Sequence, residues 1–425
     1  MKRIAHVFLA VLIFSFAANA KTPVSDSFAI TGARVFTGSE VIPSAMVVVL
    51  GGRISAVGPN VTPPAGIPVI DAAGSTLLPG YVDAHAHART RQELERALQF
   101  GVTTEMDMWT TRHFANDMRR EQERTGAPYR ADFFSAISPA TLPEGYPYNF
   151  TRQIEHPTLT TPAEADAFVA DRFAEGSDYL KIMIEDGSLV GFYVPPISRE
   201  TVRALTQATH LRGKLAVAHA TVQSHAREAL EDGVDGLMHI FPDTPVDPGF
   251  TRLAVSKGIF LVATLGAEET FVTTDGGASL VTDPDLAPYL TPEEIQFLLT
   301  PGPPNPMTQQ NLQIARDNVF QLHAAGVPIL AGTDVPAHGV ALHRELELLV
   351  LAGLDPVEAL KAATSNPAVA FGLADRGRIA PGLRADLQLV QGDPTANIKA
   401  ARKLQRIWKG GVEVDREIPS APVHH

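Results

Sequence analysis

The chain has 425 residues, of which 45% are hydrophobic and 19% are charged, and its formal net charge is −12. These values are typical of a globular protein that is too large for one small core, so we expect one large domain accompanied by a smaller one. The acidic balance excludes a general nucleic-acid or anionic-membrane binder, and the absence of cysteine excludes disulfides and thiolate ligands.

The first twenty residues have the pattern of a secretory signal peptide. Lys2 and Arg3 precede an apolar run, and Ala18-Asn19-Ala20 forms a cleavage site of the A-x-A type. The apolar run is shorter than the ~20 residues that a membrane-spanning helix requires. We therefore predict cleavage after Ala20 and a periplasmic or secreted protein of the bacterial envelope, without stable membrane insertion.

Both ends of the mature chain are predicted to form β-structure. Residues 21–76 contain short β-rich runs broken by glycine and proline, and residues 376–420 have the same character. Gly51-Gly52 and Gly410-Gly411 each separate two strand-like runs, which indicates hairpins. The simplest interpretation is one small β-sandwich domain assembled from the two chain ends.

Residues 77–375 alternate between apolar strands and helical patterns, which predicts an α/β domain with a parallel sheet. The candidate strands are YVDAHAH, TTEMDM, ADFFSAI, YLKIMIE, LAVAHA, GLMHI, IFLVAT and PILAGTD. Eight strands separated by helices predict a (β/α)8 TIM barrel. The stretch Gly266–Gln310 is rich in glycine, proline and threonine, and we interpret it as an insertion that forms either a lid or a surface excursion.

Six polar residues interrupt or end these apolar strands. They are His85 and His87 in the first strand, Lys181 in the fourth, His219 in the fifth, His239 in the sixth and Asp334 after the eighth. The carboxyl ends of barrel strands converge on one face, and strand residues two apart point the same way. Taken singly, each residue has a structural explanation, such as a hydrogen-bonded histidine, a helix-capping aspartate or a snorkelling lysine. Taken together, they favour a divalent metal site.

The ligand types indicate which metals are suitable. Imidazole and carboxylate ligands without thiolate suit zinc first, with manganese, iron, cobalt and nickel as alternatives. An ammonium at Lys181 would repel a cation, whereas a lysine that has captured carbon dioxide becomes a carbamate able to bridge two ions. A binuclear site is then expected, with His85, His87 and Asp334 on one ion, His219 and His239 on the other, and the carbamate between them.

The chain resembles the amidohydrolase superfamily of metal-dependent hydrolases over nearly its whole mature length. The resemblance rests on VDAHAHA, YLKIMIEDG, VAHA, GVDGLMHI, ILAGTD and the tail ALKAATSNPAVAFGLADRGRIAPGLRADLQLVQGDP. It is greatest to imidazolonepropionase-like and prolidase-like members, and it implies that the same six residues are the metal ligands, with Lys181 carboxylated. Deaminase-type relatives carry His-x-x-Glu near the fifth strand, but ATVQSHA follows His219 here, which favours a binuclear hydrolase.

These observations lead to a functional hypothesis. A metal-bridging hydroxide would cleave the C–N bond of a dipeptide, an N-acyl amino acid or a related amide, with Asp334 transferring the proton. Tyr193 and His113 are candidates for contacts to the substrate, and Tyr146 and Tyr148 for an aromatic wall. The alternatives are a lactonase or phosphotriesterase with the same metal pair, or a non-catalytic periplasmic metal- or ligand-binding protein. Because such relatives are often oligomeric, we also expect a homo-oligomer.

Overall fold

The computed structural model describes residues 26–147, 156–189, 191–303 and 305–416, so the predicted signal peptide lies outside the described residues. The strands are β1 (Phe28–Phe36), β2 (Val41–Leu50), β3 (Arg53–Gly58), β4 (Val69–Asp71), β5 (Ser75–Pro79), β6 (Tyr81–Ala86), β7 (Val102–Asp107), β8 (Asp132–Ser135), β9 (Leu180–Met183), β10 (Ala216–His219), β11 (Gly236–Leu237), β12 (Phe260–Val262), β13 (Ile329–Leu330), β14 (Leu387–Gln391), β15 (Leu404–Lys409) and β16 (Val412–Glu413). The helices are α1 (Arg91–Gln99), α2 (Arg112–Thr125), α3 (Ala165–Glu175), α4 (Arg199–His210), α5 (Gln223–Glu231), α6 (Pro248–Lys257), α7 (Leu265–Thr270), α8 (Asp275–Val281), α9 (Pro292–Leu299), α10 (Gln309–Ala324), α11 (Val340–Leu351), α12 (Pro356–Ala362) and α13 (Ser365–Ala370). Within these ranges no helix is both long and apolar enough to cross a membrane.

The two ends of the chain build one mixed sheet, in agreement with the predicted assembly of β-structure from both chain ends. Its strand order is β16-β15-β14-β5-β1-β2-β3, with β4 beside β1, and the Phe28 ring stacks on Trp408 in its core at 5.1 Å between centroids. The predicted boundary at residue 77 falls inside this sheet, because Leu77 pairs with Leu389 across the β5–β14 ladder. The parallel part of the chain begins instead at Tyr81, the first residue of β6.

The middle of the chain contains parallel strands separated by helices, as predicted. One sheet has the order β6-β7-β8 and the other the order β13-β12-β11-β10-β9, and every strand pair in both is parallel. Backbone hydrogen bonds connect the two sheets at both edges. The amide of Ala84 donates to the carbonyl of Ala331 at 2.9 Å, and the amide of Met183 donates to the carbonyl of Ala140 at 3.0 Å.

Local sequence signals fix where several of these helices start. Thr90 and Glu93 form a capping box at α1, since the Thr90 hydroxyl accepts from the Glu93 amide and the Glu93 carboxylate accepts from the Thr90 amide. Ser198 caps α4 through the amide of Thr201. These caps satisfy amides that have no partner within the helix, and they set the path of the chain after each strand.

The predicted insertion between Gly266 and Gln310 is largely helical. It contains α7, α8, a short 3-10 turn at Ala287–Tyr289 and α9, and its apolar side chains pack against the start of α11. The TPGPPNPMT stretch has neither helix nor strand at its described positions, which agrees with its proline and glycine content. The insertion therefore forms a wall beside the ends of β12 and β13.

A buried cluster of charged residues joins the parallel-strand domain to the composite sheet. Asp132 of β8 is completely buried and accepts from Lys409 of β15 at 2.6 Å, from Arg376 at 2.6 Å and from Arg384 at 2.5 Å. Burial would raise the pKa of Asp132, but the charges of these three cations hold it well below its usual range. Asp132 is thus an ionised carboxylate that ties three basic side chains to one position at the domain junction.

Candidate metal centre

A cavity of about 330 Å³ opens at the carboxyl ends of the parallel strands, and all six predicted ligands line it. They are His85, His87, Lys181, His219, His239 and Asp334. The imidazole ring centroids of His85 and His239 are 4.8 Å apart, and those of His219 and His239 are 4.6 Å apart. The structure therefore brings together side chains separated by as many as 249 positions along the sequence, from His85 to Asp334.

Asp334 lies at the centre of this cluster. Its Oδ1 is 2.9 Å from Nε2 of His87 and 3.5 Å from Nε2 of His85, and its Oδ2 is 3.8 Å from Nε2 of His239. One donor atom from each of His85, His87 and Asp334 lies within 4.8 Å of the others, a spacing compatible with a shared cation. Asp334 has the left-handed backbone conformation, φ +51°, which is uncommon for a residue other than glycine. Such strain is often found at functional sites.

Three of the histidines are oriented by contacts to their Nδ1 atoms, which leaves Nε2 towards Asp334. His85 donates to the Met238 carbonyl at 2.9 Å, His87 to the Trp109 carbonyl at 3.3 Å, and His239 shares a hydrogen bond with the Thr264 hydroxyl at 3.0 Å. Contacts of this kind select the tautomer and the ring orientation of metal-binding histidines. The Nε2 atoms of these three histidines thus all lie close to the Asp334 carboxylate.

His219 is oriented the other way. Its Nε2 lies 3.1 Å from the carboxylate of Glu185, which also accepts from the Thr221 hydroxyl, so Nδ1 is the nitrogen available to a cation. Burial would raise the pKa of Glu185, but hydrogen bonds and charge at His219 lower it to about 2. Sequence reasoning missed Glu185, although the candidate strand YLKIMIE ends on this residue. Its position at a predicted strand end, four residues after Lys181, is a signal that could have found it.

The protonation states fit a divalent cation. Burial lowers the pKa of His85 and of His239 well below the usual value, so both imidazoles are neutral. Burial alone would raise the pKa of Asp334, but electrostatic interaction with the imidazoles of His85 and His87 and the hydrogen bond to His87 hold it well below its usual range. Neutral imidazoles beside an ionised carboxylate are the forms in which these side chains bind metals.

Lys181 is buried and has no counter-ion in the part of the chain that the structure describes. Burial lowers its pKa to about 7, although the charges of Asp334 and Asp107 act in the opposite direction. Among the described residues, its amine has neither a hydrogen bond nor an ion pair. An unpaired buried lysine is rare and calls for an explanation. A neutral amine is also the form that reacts with carbon dioxide.

Other residues complete the cavity wall. The Tyr146 ring stacks on His219 at 5.0 Å between centroids, whereas Tyr148 lies outside the described residues. His338 is buried and hydrogen-bonded to Glu105 at 2.9 Å. Burial would lower its pKa, but the charge of Glu105 raises it to about 9, so the imidazole is cationic. The guanidinium of Arg89 lies over the Trp109 ring at 5.6 Å and has no ion pair among the described residues.

The structure does not bring His113 or Tyr193 to this cavity. The side chain of His113 is 88% exposed and lies 3.1 Å from Asp117, one turn further along α2. Tyr193 is 79% exposed in the segment before α4. Neither lines the cavity, because His113 begins a helix on the outer surface and the segment carrying Tyr193 turns towards solvent. Arg89 and His338 replace them as candidates for contacts to a substrate.

Comparison with known proteins gives consistent matches. The sequence profile of the amidohydrolase family matches residues 76–414, and that of the NagA composite domain matches residues 27–77. An imidazolonepropionase from Cereibacter sphaeroides is 28% identical over 86% of this chain and 93% of its own length. A candidate prolidase from Bifidobacterium longum is 25% identical with a TM-score of 0.74, covering 94% of this chain and 97% of its own. A Xaa-Pro dipeptidase with bound methionine is 21% identical with a TM-score of 0.73, covering 92% of this chain and 100% of its own, which shows the shared fold.

Proposed function

The chain belongs to the amidohydrolase family of hydrolases that act on C–N bonds, and from this premise we propose that it cleaves the amide bond of N-acyl amino acids or dipeptides at a pair of divalent ions. The observation that carries the proposal is the convergence of four histidines, a buried unpaired lysine and an aspartate on one cavity. We further propose that the eight parallel strands close into a (β/α)8 barrel. The hydrogen bonds that connect the two parallel sheets at both edges support closure.

The donor atoms suggest how two ions would be held. His85, His87 and Asp334 would bind one ion, and Nδ1 of His219 with Nε2 of His239 would bind the other. Lys181, carboxylated by carbon dioxide, would supply the bridging oxygens and would account for a buried amine without a partner. Bound divalent ions, with zinc the first expectation, supply a nucleophilic water near neutral pH and polarise the scissile carbonyl.

The chain's own residues would perform the proton transfer and orient the substrate. Asp334 is ionised and central, so it can accept a proton from the attacking water and deliver it to the departing amine. The water oxygen ends on the acyl carbon, the C–N bond breaks, and the products are a carboxylic acid and an amine. Arg89 places positive charge on the cavity wall, where it would bind the carboxylate of an amino-acid leaving group, and His338, whose charge is paired with Glu105, lies on the same wall as a further polar group.

Removal of metal is the first test. Purified protein from metal-replete expression is expected to contain two equivalents of divalent ion per chain by elemental analysis. Dialysis against a chelator should abolish hydrolysis of N-acyl amino acids and dipeptides, and added Zn²⁺ or Mn²⁺ should restore it. The panel should include lactones and aryl phosphotriesters, because faster turnover of these would replace the proposed substrate class. Full activity without bound metal would contradict the proposal.

Glu185→Gln tests the orientation of His219. Loss of the carboxylate that holds Nε2 is expected to weaken metal binding or activity by about 10- to 100-fold, as is usual for residues that orient metal ligands. The measurements are the metal content after limited chelation and kcat/KM. Glu200→Gln, an exposed glutamate in the first turn of α4, is the matched control and should behave as wild type. A Glu185→Gln protein with unchanged metal retention would show that His219 needs no such support.

The cellular location also remains a proposal. The basic start, the apolar run and the A-x-A site of residues 1–20 support export to the bacterial envelope, after which the mature chain would begin near Lys21. Amino-terminal sequencing of protein recovered from periplasm and medium would test it. The expected homo-oligomer can be tested by light scattering on the same material.

A further inference from the structure

A second cavity of about 370 Å³ lies beside the metal centre, and the insertion forms most of its wall. We call it the insertion chamber. Its apolar lining comprises Phe271, Leu280, Phe297, Leu298, Val335 and Pro336. The volume is within the range of about 300–1,000 Å³ that is usual for small-molecule sites. Nothing in the proposed chemistry uses this space.

The insertion chamber adjoins the metal cavity. Asp334, Val335 and Pro336 line both, so this segment after β13 is a ridge between the two spaces. Val335 is half-buried and Pro336 is exposed, and thus the top of the ridge is open rather than sealed by packing. A molecule whose reacting bond lies at Asp334 can therefore extend over the ridge into the chamber.

The charged groups in the chamber wall are already satisfied within the protein. Glu269 and Arg344 form a bidentate pair, with distances of 2.9 and 2.7 Å. Glu345 accepts from the backbone amides of Leu265 at 3.1 Å and of Gly266 at 2.7 Å at the start of α7. Apart from Asp334, which contacts the histidines of the metal centre, the described residues of the chamber wall thus present apolar surface and paired charges, which favours an uncharged hydrophobic group over an ammonium or a carboxylate.

The strand order determines where the insertion chamber and Arg89 lie relative to Asp334. β13 is bonded to β12 on one side, and Ala331 just after it is bonded to β6 on the other. The insertion chamber follows β12, Asp334 follows β13, and Arg89 follows β6. The chamber and the cationic group of Arg89 therefore lie on opposite sides of the proposed reaction centre.

We propose that the insertion chamber binds the apolar acyl group of an N-acyl amino acid whose carboxylate lies towards Arg89 and His338. This inference rests on the proposed function and narrows it to substrates with a medium-length or aromatic acyl chain. An unblocked dipeptide fits less well, because its ammonium group would be carried towards a wall whose two described glutamates, Glu269 and Glu345, already have partners. Hydrolysis would release the hydrophobic acid on the chamber side and the amino acid on the Arg89 side.

Gly266 gives direct experimental access to the chamber. It lines the chamber in the first turn of α7, and a Cβ at this position would meet only Oε2 of Glu345 within 4 Å, at 3.4 Å. A Cβ at this position therefore makes only an ordinary contact with one carboxylate oxygen, so we expect a leucine side chain to enter the chamber and alanine to intrude less. Leu299 on α9 is exposed and does not line the chamber, so Leu299→Gln is a matched control.

The experiment compares N-octanoyl-L-alanine with N-acetyl-L-alanine on the metal-loaded protein. Each buried methylene is expected to raise kcat/KM by about three- to fourfold, so wild type, if it buries most of the additional methylenes, should prefer the octanoyl substrate by at least about 100-fold. Gly266→Leu should lower this preference at least about tenfold, with Gly266→Ala intermediate and Leu299→Gln unchanged. An absence of preference in wild type, or an equal loss on both substrates in Gly266→Leu, would overturn the chamber assignment.

Calorimetric binding of the same two compounds separates the two proposals. In one outcome neither compound is hydrolysed, octanoyl alanine binds at least about 100-fold more tightly than acetyl alanine, and Gly266→Leu removes this difference. That outcome would support the acyl-binding role of the chamber and refute the proposed amide hydrolysis. If both are hydrolysed at similar rates and bind equally, the reaction stands and the chamber fails. Faster cleavage of unblocked dipeptides than of octanoyl alanine would also overturn the inference.

Discussion

Replacement of Lys181 by alanine is expected to lower kcat/KM for amide hydrolysis at least about 10³-fold, because two ions would lose the ligand that holds them together, and metal catalysis contributes several kcal/mol. The metal content should fall below two equivalents per chain. Short carboxylic acids such as acetate or propionate should restore part of the activity, since they can occupy the space vacated by the lysine and supply a carboxylate.

The controls for this variant distinguish the ligand role from packing. Lys214→Ala removes an exposed lysine just before β10 and should be indistinguishable from wild type. Methylammonium, which replaces an amine but not a carboxylate, should give no rescue. Circular dichroism should confirm that the fold is kept. Wild-type turnover in Lys181→Ala, or equal rescue by methylammonium and acetate, would refute the bridging carbamate.

Asp132→Asn is expected to destabilise the chain by about 3–5 kcal/mol, the usual result of removing one partner of a buried ionic cluster. The variant keeps the volume of the side chain but removes the carboxylate charge that Lys409, Arg376 and Arg384 share. Among the described residues Lys409 is then left without an ion pair, whereas Arg376 keeps Asp375 and Arg384 keeps Asp386. Urea unfolding, followed by the fluorescence of the two tryptophans, Trp109 and Trp408, and by circular dichroism, is the measurement. The matched control is Asp166→Asn, whose ion pair with Arg212 is on the surface and should have no measurable effect.

The difference in the free energy of unfolding between wild type and Asp132→Asn depends on pH in a direction that follows from the pKa of Asp132. The folded chain holds the pKa of Asp132 below that of the unfolded chain, so the carboxylate contributes its full stabilisation above the unfolded value of about 3.9. The contribution is lost as the pH falls further towards the folded pKa. The difference in the free energy of unfolding between wild type and Asp132→Asn should therefore stay constant down to about pH 5 and become smaller below about pH 4. A gap that widens on acidification would show that Asp132 is not the dominant charge at the junction.

The sequence was sufficient to locate the six central residues because each one breaks an apolar strand pattern. His85, His219 and Asp334 stand at strand ends where burial without a purpose is costly, and parallel strands bring such ends together whatever their separation along the chain. The same periodicity predicted the α/β class and the division between the parallel strands and the composite sheet. The prediction that these six residues lie on one face of the parallel strands did not depend on the conformation of the loops.

The residues that orient or surround the centre could not be predicted in this way. Arg89, Glu185 and His338 lie in segments after strands, where polar residues are common and no periodicity distinguishes a cavity wall from a surface turn. His113 illustrates the limit, since its position soon after a strand suggested the cavity mouth, whereas it lies on the outward side of α2. The helical wall of the insertion depends on packing against α11, which the sequence of Gly266–Gln310 does not reveal.

The composite sheet has a consequence for how the chain is made. The Thr76 hydroxyl donates to the carbonyl of Gly392, 316 positions further along the chain, and β14 covers the edge of β5. At the usual rate of protein synthesis, the edge of β5 is made on the order of tens of seconds before β14, the strand that covers it. An uncovered strand edge is a template for pairing with other chains. The edge of β5 is therefore open to such pairing until the last segment of the chain is available, and completion of the sheet is a late event in folding.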